Sequence, residues 1–232
     1  MKTIGLLGGM SWHSSADYYR LINEQVADRL GGHRSAECLL ASLDFEQVRD
    51  MQRRDAWDEA AAHLVAAALR LEAGGADLVV LCTNLMHKAA PDIEAALNIP
   101  FLHIADAVGA RLAAGGHTRV GLLGARWVME EPFYRDRLRT GYGADVLVPD
   151  VAGRELVDRV IFEELTLGRV EATSRAHYVD VIEKLAERGA TAVVLACTEI
   201  ELLISDGDSP IPVIDSTRAH AVAAVDAALA PG

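Results

Sequence analysis

The sequence predicts an α/β fold made of two similar, doubly wound lobes with mainly parallel sheets. Three observations predict it. Short apolar runs alternate with longer helical patterns along the 232 residues. The runs are apolar throughout rather than at every second position, as in strands buried on both faces. The chain also repeats itself, at an offset that drifts only from 116 to 112 residues.

Taken in order, Thr3 to Leu7 reads as a buried strand, and Ser14 to Leu30 as a helix opened by a serine cap. Glu37 to Leu43 is a second strand. Asp55 to Glu72, with its alanine-rich stripe, is a helix stopped by Gly74-Gly75. Leu78 to Cys82 is a third strand. Val120–Leu123, Val146–Val148, Ala192–Ala196 and Pro212–Ile214 are further strands, with helical stretches between them, and a last helix starts near Ser216.

The repeat has three landmarks. Thr3-Ile-Gly-Leu-Leu-Gly8 matches Arg119-Val-Gly-Leu-Leu-Gly124 at an offset of 116, which also lays Tyr18 on Tyr134. Gly75-Ala76-Asp-Leu-Val-Val-Leu81 matches Gly189-Ala190-Thr-Ala-Val-Val-Leu195 at 114, and Ile99-Pro100 matches Ile211-Pro212 at 112. Residues 1–100 with 216–232 are expected to form a first lobe, the last helix packing back onto it, and 101–215 a second. Duplicated lobes would set the carboxyl ends of equivalent strands face to face, and open α/β sheets bind ligands at those ends. The site is therefore expected in the cleft between the lobes.

Composition narrows the partners. Hydrophobic residues make up 51% and charged residues 24%, with a mean hydropathy of +0.16, as in a globular chain. Aromatics are only 5%, so Ala, Val, Leu and Ile must build the core. A net charge of −12 argues against nucleic acid and anionic membranes as partners, because binding them needs a basic face. Cys38, Cys82 and Cys197 are too few and too far apart for a disulfide framework or a zinc site, and read as reduced thiols in a cytoplasmic protein. The start, MKTIGLLGGMSWHSS, is too short in its apolar run for a signal peptide or a membrane span.

The chemistry concentrates in two turns, Cys82-Thr83-Asn84 and Cys197-Thr198-Glu199. The eye pairs Cys82 with Cys197, but the repeat does not. Counting from Gly-Ala through Val-Val-Leu, Leu81 pairs with Leu195, Cys82 with Ala196, and Thr83 with Cys197. Since side chains alternate along a strand, one step moves a group to the other face. If Cys197 enters the cleft, its opponent is Thr83, and Cys82 turns toward the core.

Cys82-Thr83-Asn84-Leu85-Met86-His87, Ala196-Cys197-Thr198-Glu199-Ile200, the glycine-rich end of the first strand and the two lobes resemble the aspartate/glutamate racemase family. The resemblance covers essentially the whole chain. It implies a cofactor-independent enzyme in which two residues on opposite sides of the substrate Cα act as acid and base, usually both cysteines. The usual first motif, Cys-Asn-Thr-x-His, aligned on Asn84 and His87, puts Thr83 in the cysteine slot. That threonine–cysteine pair is similar to the L-aspartate/glutamate-specific branch, whereas Leu85 stands where a threonine would contact a substrate carboxylate. The resemblance implies Cys197 and Thr83 as catalytic residues, substrate contacts at Met10, Gln52, Asn84, Leu85, Glu164, Thr198 and Glu199, no PLP and no metal, and a homodimer acting on an amino acid.

The residue types suit that chemistry. Abstracting a Cα proton without a cofactor needs a strong, desolvated base and donors around the α-carboxylate. A thiol with an ordinary pKa of about 8.5, lowered by a positive field, can be the base. Thr198, Asn84 and the backbone amides that follow can hold a carboxylate. Glu199 can orient or deprotonate Cys197. Gly8, Gly9 and Met10 could let a small ligand approach the backbone, while the loop they form lacks both GxGxxG and Walker A spacing.

Plainer readings sit beside these. Cys38 reads as core. Gln52-Arg53-Arg54 reads as a polar break between helices that could offer a local cation, Glu163-Glu164 as a helix face, and His87 as a helix-start histidine bonded to backbone. The other seven histidines show no HxxxH or HxH spacing, so no metal is expected. Two other functional classes fit the same features: another reaction of the superfamily, decarboxylation or cis–trans isomerisation of a dicarboxylate, and an inactive amino-acid-binding protein.

Overall fold

The computed structural model of the chain describes residues 1–231; Gly232, the end of the expected first lobe, lies outside the described residues. The chain divides into two compact units, one formed by residues 1–103 with the segment from His220 onward, the other by Ile104–Ala219.

The first unit runs β1 (Ile4–Gly8), α1 (Trp12–Leu30), β2 (Cys38–Ser42), α2 (Phe45–Arg53), α3 (Trp57–Ala73), β3 (Leu78–Leu81), a 3-10 turn (Leu85–Ala89), α4 (Ala90–Ala96) and β4 (Phe101–Leu102). The second runs α5 (Ile104–Ala114), β5 (Arg119–Gly124), α6 (Arg126–Glu130), α7 (Pro132–Tyr142), β6 (Asp145–Leu147), α8 (Val151–Glu163), α9 (Ala172–Glu187), β7 (Val193–Ala196) and β8 (Val213–Asp215). The last helix, α10 (Ser216–Leu229), begins in the second unit and ends in the first.

Each unit holds one four-stranded parallel sheet, ordered β2-β1-β3-β4 in the first and β6-β5-β7-β8 in the second. The orders are the same under the repeat, and so are the registers. Gly5 pairs with Val79 and Leu7 with Leu81; at the matching positions Gly121 pairs with Val193 and Leu123 with Leu195. The central strands are wholly buried, as parallel strands covered on both faces must be. Gly5 and Gly121 serve the same packing contact. A methyl group on Gly5 would lie 3.3 Å from Leu71 on α3 and 2.9 Å from Ala76, and one on Gly121 would lie 2.9 Å from Leu185 on α9, the repeat partner of Leu71.

The units exchange their last helices. After β4 the chain leaves the first unit, and α5 packs in the second against α7, where Arg137 forks onto Asp106 at 2.9 and 2.6 Å. After β8 it returns, and Ala221, Ala224, Val225 and Ala228 of α10 enter the first unit's core with Tyr18 and Ile22 of α1.

Local departures from the sequence reading have physical causes. Helix α1 starts at Trp12 rather than Ser14, because its serines are used elsewhere: Ser15 Oγ accepts the Gly9 N–H at 2.8 Å and Ser14 Oγ donates to the Cys82 carbonyl at 2.9 Å. Helix α2 is capped by Asp44, whose carboxylate accepts the Glu46 N–H, so Gln52 and Arg53 form its last turn instead of a break. The break falls at Asp55, in the left-handed region with φ +56°. Strand β4 has only two residues and carries no sequence signal beyond the Ile99-Pro100 landmark.

Gly9 closes the turn after β1. Its φ is +86°, and a methyl group there would sit 2.2 Å from the Leu43 nitrogen. Gly9→Ala should therefore cost at least about 2 kcal/mol of stability in urea denaturation, from the strained dihedral and the backbone clash together. Gly143→Ala, at φ +66° with open space around it, should cost only about 1 kcal/mol. Equal losses at the two positions would count against the close approach.

Candidate active site

The two sheets place the two turns alike. β3 ends at Leu81 opposite Leu7, and β7 runs one residue further, to Ala196 opposite Gly124. Carried one step on, Cys82 and Ala196 occupy the same place, and both are fully buried. Thr83 and Cys197 come next, both half-buried. Cys82 belongs to the core of the first unit and points its thiol back toward the Val80 carbonyl.

In the second unit, Cys197, Thr198 and Glu199 form one hydrogen-bonded group. The Cys197 thiol donates to Glu199 Oε2 at 3.3 Å, and the Thr198 hydroxyl donates to the same oxygen at 2.6 Å. Glu199 is buried. Burial pushes the Cys197 thiol well above its ordinary range and the Glu199 carboxylate pushes it further, while the backbone amides of Glu199 and Ile200 pull the other way. The expected positive field is absent. A carboxylate faces the sulfur instead, so the thiol holds its proton toward an acceptor.

Glu164, half-buried at the end of α8, accepts the Ser174 hydroxyl at 2.6 Å. The turn it opens, Leu165–Leu167, packs on the turn Thr198–Leu202 that follows Cys197. Tyr178 lies in the second unit's core, where burial first and the neighbouring carboxylates Asp158 and Glu164 after it hold its phenol well above the ordinary range.

In the first unit, Met10, Gln52, Asn84 and Leu85 are all buried, around the carboxyl end of the sheet. The Gln52 amide donates to the Met86 sulfur at 3.2 Å, joining α2 to the turn that carries Thr83. Arg53 and Arg54 are half-exposed and paired with Glu46, Asp50 and Glu59. The guanidinium that reaches Gln52 is Arg49, which donates to its Oε1 at 3.0 Å. Arg49 lies three residues before Gln52 on one helical face, so recognising α2 would have found it. His87 is bonded to backbone: its Nδ1 lies 2.7 Å from the Thr83 carbonyl. His103 and His220 pack beside His87, a grouping that no local spacing in the sequence announces.

Among the described residues, no three His, Cys, Asp or Glu side chains are grouped to hold a metal, and no helix is long and apolar enough to cross a membrane.

The Asp/Glu/Hydantoin racemase family model matches residues 7–224. A solved structure from Yersinia pestis, a candidate Asp/Glu racemase, superposes with a TM-score of 0.94 at 47% identity, over 99% of this chain and 100% of that one. The aspartate racemase homologue PH1733 from Pyrococcus horikoshii OT3 superposes with a TM-score of 0.85 at 30% identity, over 98% and 99%. The broad specificity amino-acid racemase RacX of Bacillus subtilis (strain 168) is 26% identical over 173 residues, 75% of this chain and 74% of its own.

The opposition of Glu199 and Cys197 has a measurable consequence. Iodoacetamide should label Cys197 slowly at neutral pH and faster as pH rises past the ordinary thiol range. Glu199→Gln removes the negative charge, lowers the thiol pKa and should speed labelling at pH 7–8, roughly ten-fold for each unit the pKa falls. Cys38, pushed up to about 11 by burial, and the buried Cys82 should not respond. Peptide mass spectrometry reads the three sites separately, and unchanged labelling of Cys197 would remove Glu199 as the cause.

Proposed function

The chain belongs to the Asp/Glu/Hydantoin racemase family, and from that premise we propose that it is a cofactor-independent amino-acid racemase using Cys197 and Thr83 as its two acid–base groups. One observation carries this reading: the two half-buried groups sit at equivalent places in two sheets of identical order and register. L-Aspartate, L-glutamate and related amino acids are the proposed substrates. The reading includes a homodimer in the cytoplasm, with neither PLP nor metal.

The steps follow from the bonds around the sulfur. The Cys197 proton passes to Glu199 Oε2, the acceptor it already faces. The thiolate takes the Cα proton of the L-enantiomer, and negative charge moves into the α-carboxylate. Asn84 and the backbone amides after each turn are the donors for that charge, joined by the Thr198 hydroxyl, which turns from Glu199 Oε2 once that oxygen is protonated. Glu164 is proposed to hold the ammonium, whose positive charge near the thiolate offsets its burial. The Thr83 hydroxyl then gives a proton to the other face; its alkoxide is reprotonated from solvent through a neighbour, and Glu199 releases to solvent the proton it took from Cys197, so every group returns to its starting state.

Thr83 is a far weaker acid than Cys197, and this makes the reaction lopsided. The equilibrium constant between enantiomers is one, so kcat/KM must be equal in the two directions and the asymmetry must appear elsewhere. In deuterated water, L-substrate should gain deuterium at Cα faster than it inverts, because the Cys197 proton exchanges and returns more readily than Thr83 delivers one. Thr83→Cys should narrow that gap, and Cys82→Ala should leave both rates nearly intact. Cys197→Ser should abolish both, since a serine hydroxyl cannot supply the anion. Exchange retained in Cys197→Ser would sink the assignment, loss in Cys82→Ala alone would make Cys82 the second group, and carbon dioxide release would reveal a decarboxylase.

A further inference from the structure

His87 closes the turn that carries Thr83. Its ring is buried, and its Nδ1 lies 2.7 Å from the Thr83 carbonyl oxygen. A carbonyl only accepts, so Nδ1 carries the hydrogen and donates it. The same turn is held by the His87 N–H to the Asn84 carbonyl at 3.2 Å and by the Thr83 N–H to the Leu81 carbonyl at 2.9 Å. His87 thus holds the turn on the carbonyl side of Thr83, by its ring to Thr83 and by its N–H to Asn84, while Leu81 holds the amide side.

The ring itself is held by others. His103 lies 4.5 Å from it and His220 5.7 Å, centroid to centroid, with Phe101 also at 5.7 Å. The His220 orientation is fixed in turn: its Nε2 donates to the Leu102 carbonyl at 2.9 Å, and in the neutral ring its Nδ1 accepts the Tyr18 hydroxyl at 2.8 Å. His103 is the last residue of the first unit before the chain leaves it, and His220 the first on its return. The second unit differs at this place. Under the repeat, His87 corresponds to Glu201, whose carboxylate cannot donate to the Cys197 carbonyl.

We propose that His87 is a positioning residue for Thr83, its Nδ1–H fixing the turn from which the weaker of the two acid–base groups delivers its proton. This rests on the reading of Thr83 given above. The physical reason for the asymmetry is that a thiolate tolerates some displacement, while a hydroxyl that must donate across a short path does not; a misplacement of about 1 Å can cost a hundred-fold in rate.

The test compares His87→Leu, which removes the donor, with His87→Asn, whose side-chain amide can stand in for Nδ1–H. L-Aspartate and L-glutamate are used in deuterated water, and deuterium wash-in and inversion are followed separately. His87→Leu should lower inversion at least ten-fold further than it lowers wash-in, since the loss through Asn84 falls on both rates and the loss through Thr83 on inversion alone, and His87→Asn should restore most of the inversion. Equal losses of both rates, or a failure of Asn to rescue beside intact folding, would overturn the proposal. Nuclear magnetic resonance of nitrogen-labelled histidine gives a readout independent of turnover. His87 Nδ1 should be the protonated ring nitrogen, and the Thr83 and Asn84 amides should shift in His87→Leu and return in His87→Asn. An unprotonated Nδ1 or unmoved amides would sink the positioning role. Amides that behave as expected in a wild-type protein that exchanges no Cα proton would instead sink the racemase reading.

Discussion

The register of β1 against β3, and of β5 against β7, decides which residue is first to leave each strand into the open. Backbone hydrogen bonds set that register, and two sheets built to one plan set it twice. The ladder brings Leu7 level with Leu81 and Leu123 level with Leu195, so Cys82 and Ala196 end inside the core and Thr83 and Cys197 emerge. A slip of one residue in either sheet would bury the emerging group and expose its neighbour. The glycines at Gly5 and Gly121 serve the packing around that ladder, because each lets a helix side chain lie directly on its strand.

Around that geometry the electrostatics are arranged against a free thiolate. Desolvation and a buried carboxylate both keep Cys197 protonated, and only backbone amides oppose them. A positive charge beside the sulfur would lower the cost of ionising it. An amino acid brings its own ammonium.

Much of this was legible in the sequence because the signals were long or repeated. The buried strands announced themselves as apolar runs, and the pairing of Thr83 with Cys197 followed from counting through Gly-Ala and Val-Val-Leu. What escaped was short or non-local. Helix α2 has only nine residues and is strongly charged, so its last turn read as a break and Arg49 was passed over. The sign of the field on Cys197 depended on where the Glu199 carboxylate folds back, which spacing alone does not give. His103 and His220 meet His87 only because the chain leaves and re-enters the first unit at those two residues.

The exchange of α5 and α10 bears on where such a chain comes from. Each half of the sequence ends in a helix that finds its place on the other half: α10 against Tyr18 of α1, α5 against α7, where Gly109 lies on the Tyr142 ring. A half-length ancestor would have had a bare face on its sheet and a closing helix with nothing of its own to cover. Two copies trading those helices would satisfy both needs at once, which is the logic of a domain-swapped dimer. Fusion of two such copies would freeze the trade into one polypeptide and free the halves to diverge. Tyr18 and Tyr134 record that divergence. Tyr18 keeps His220 as its partner, while the repeat sets Val108 at the position of His220, and the buried Tyr134 hydroxyl has no hydrogen-bond partner among the described residues.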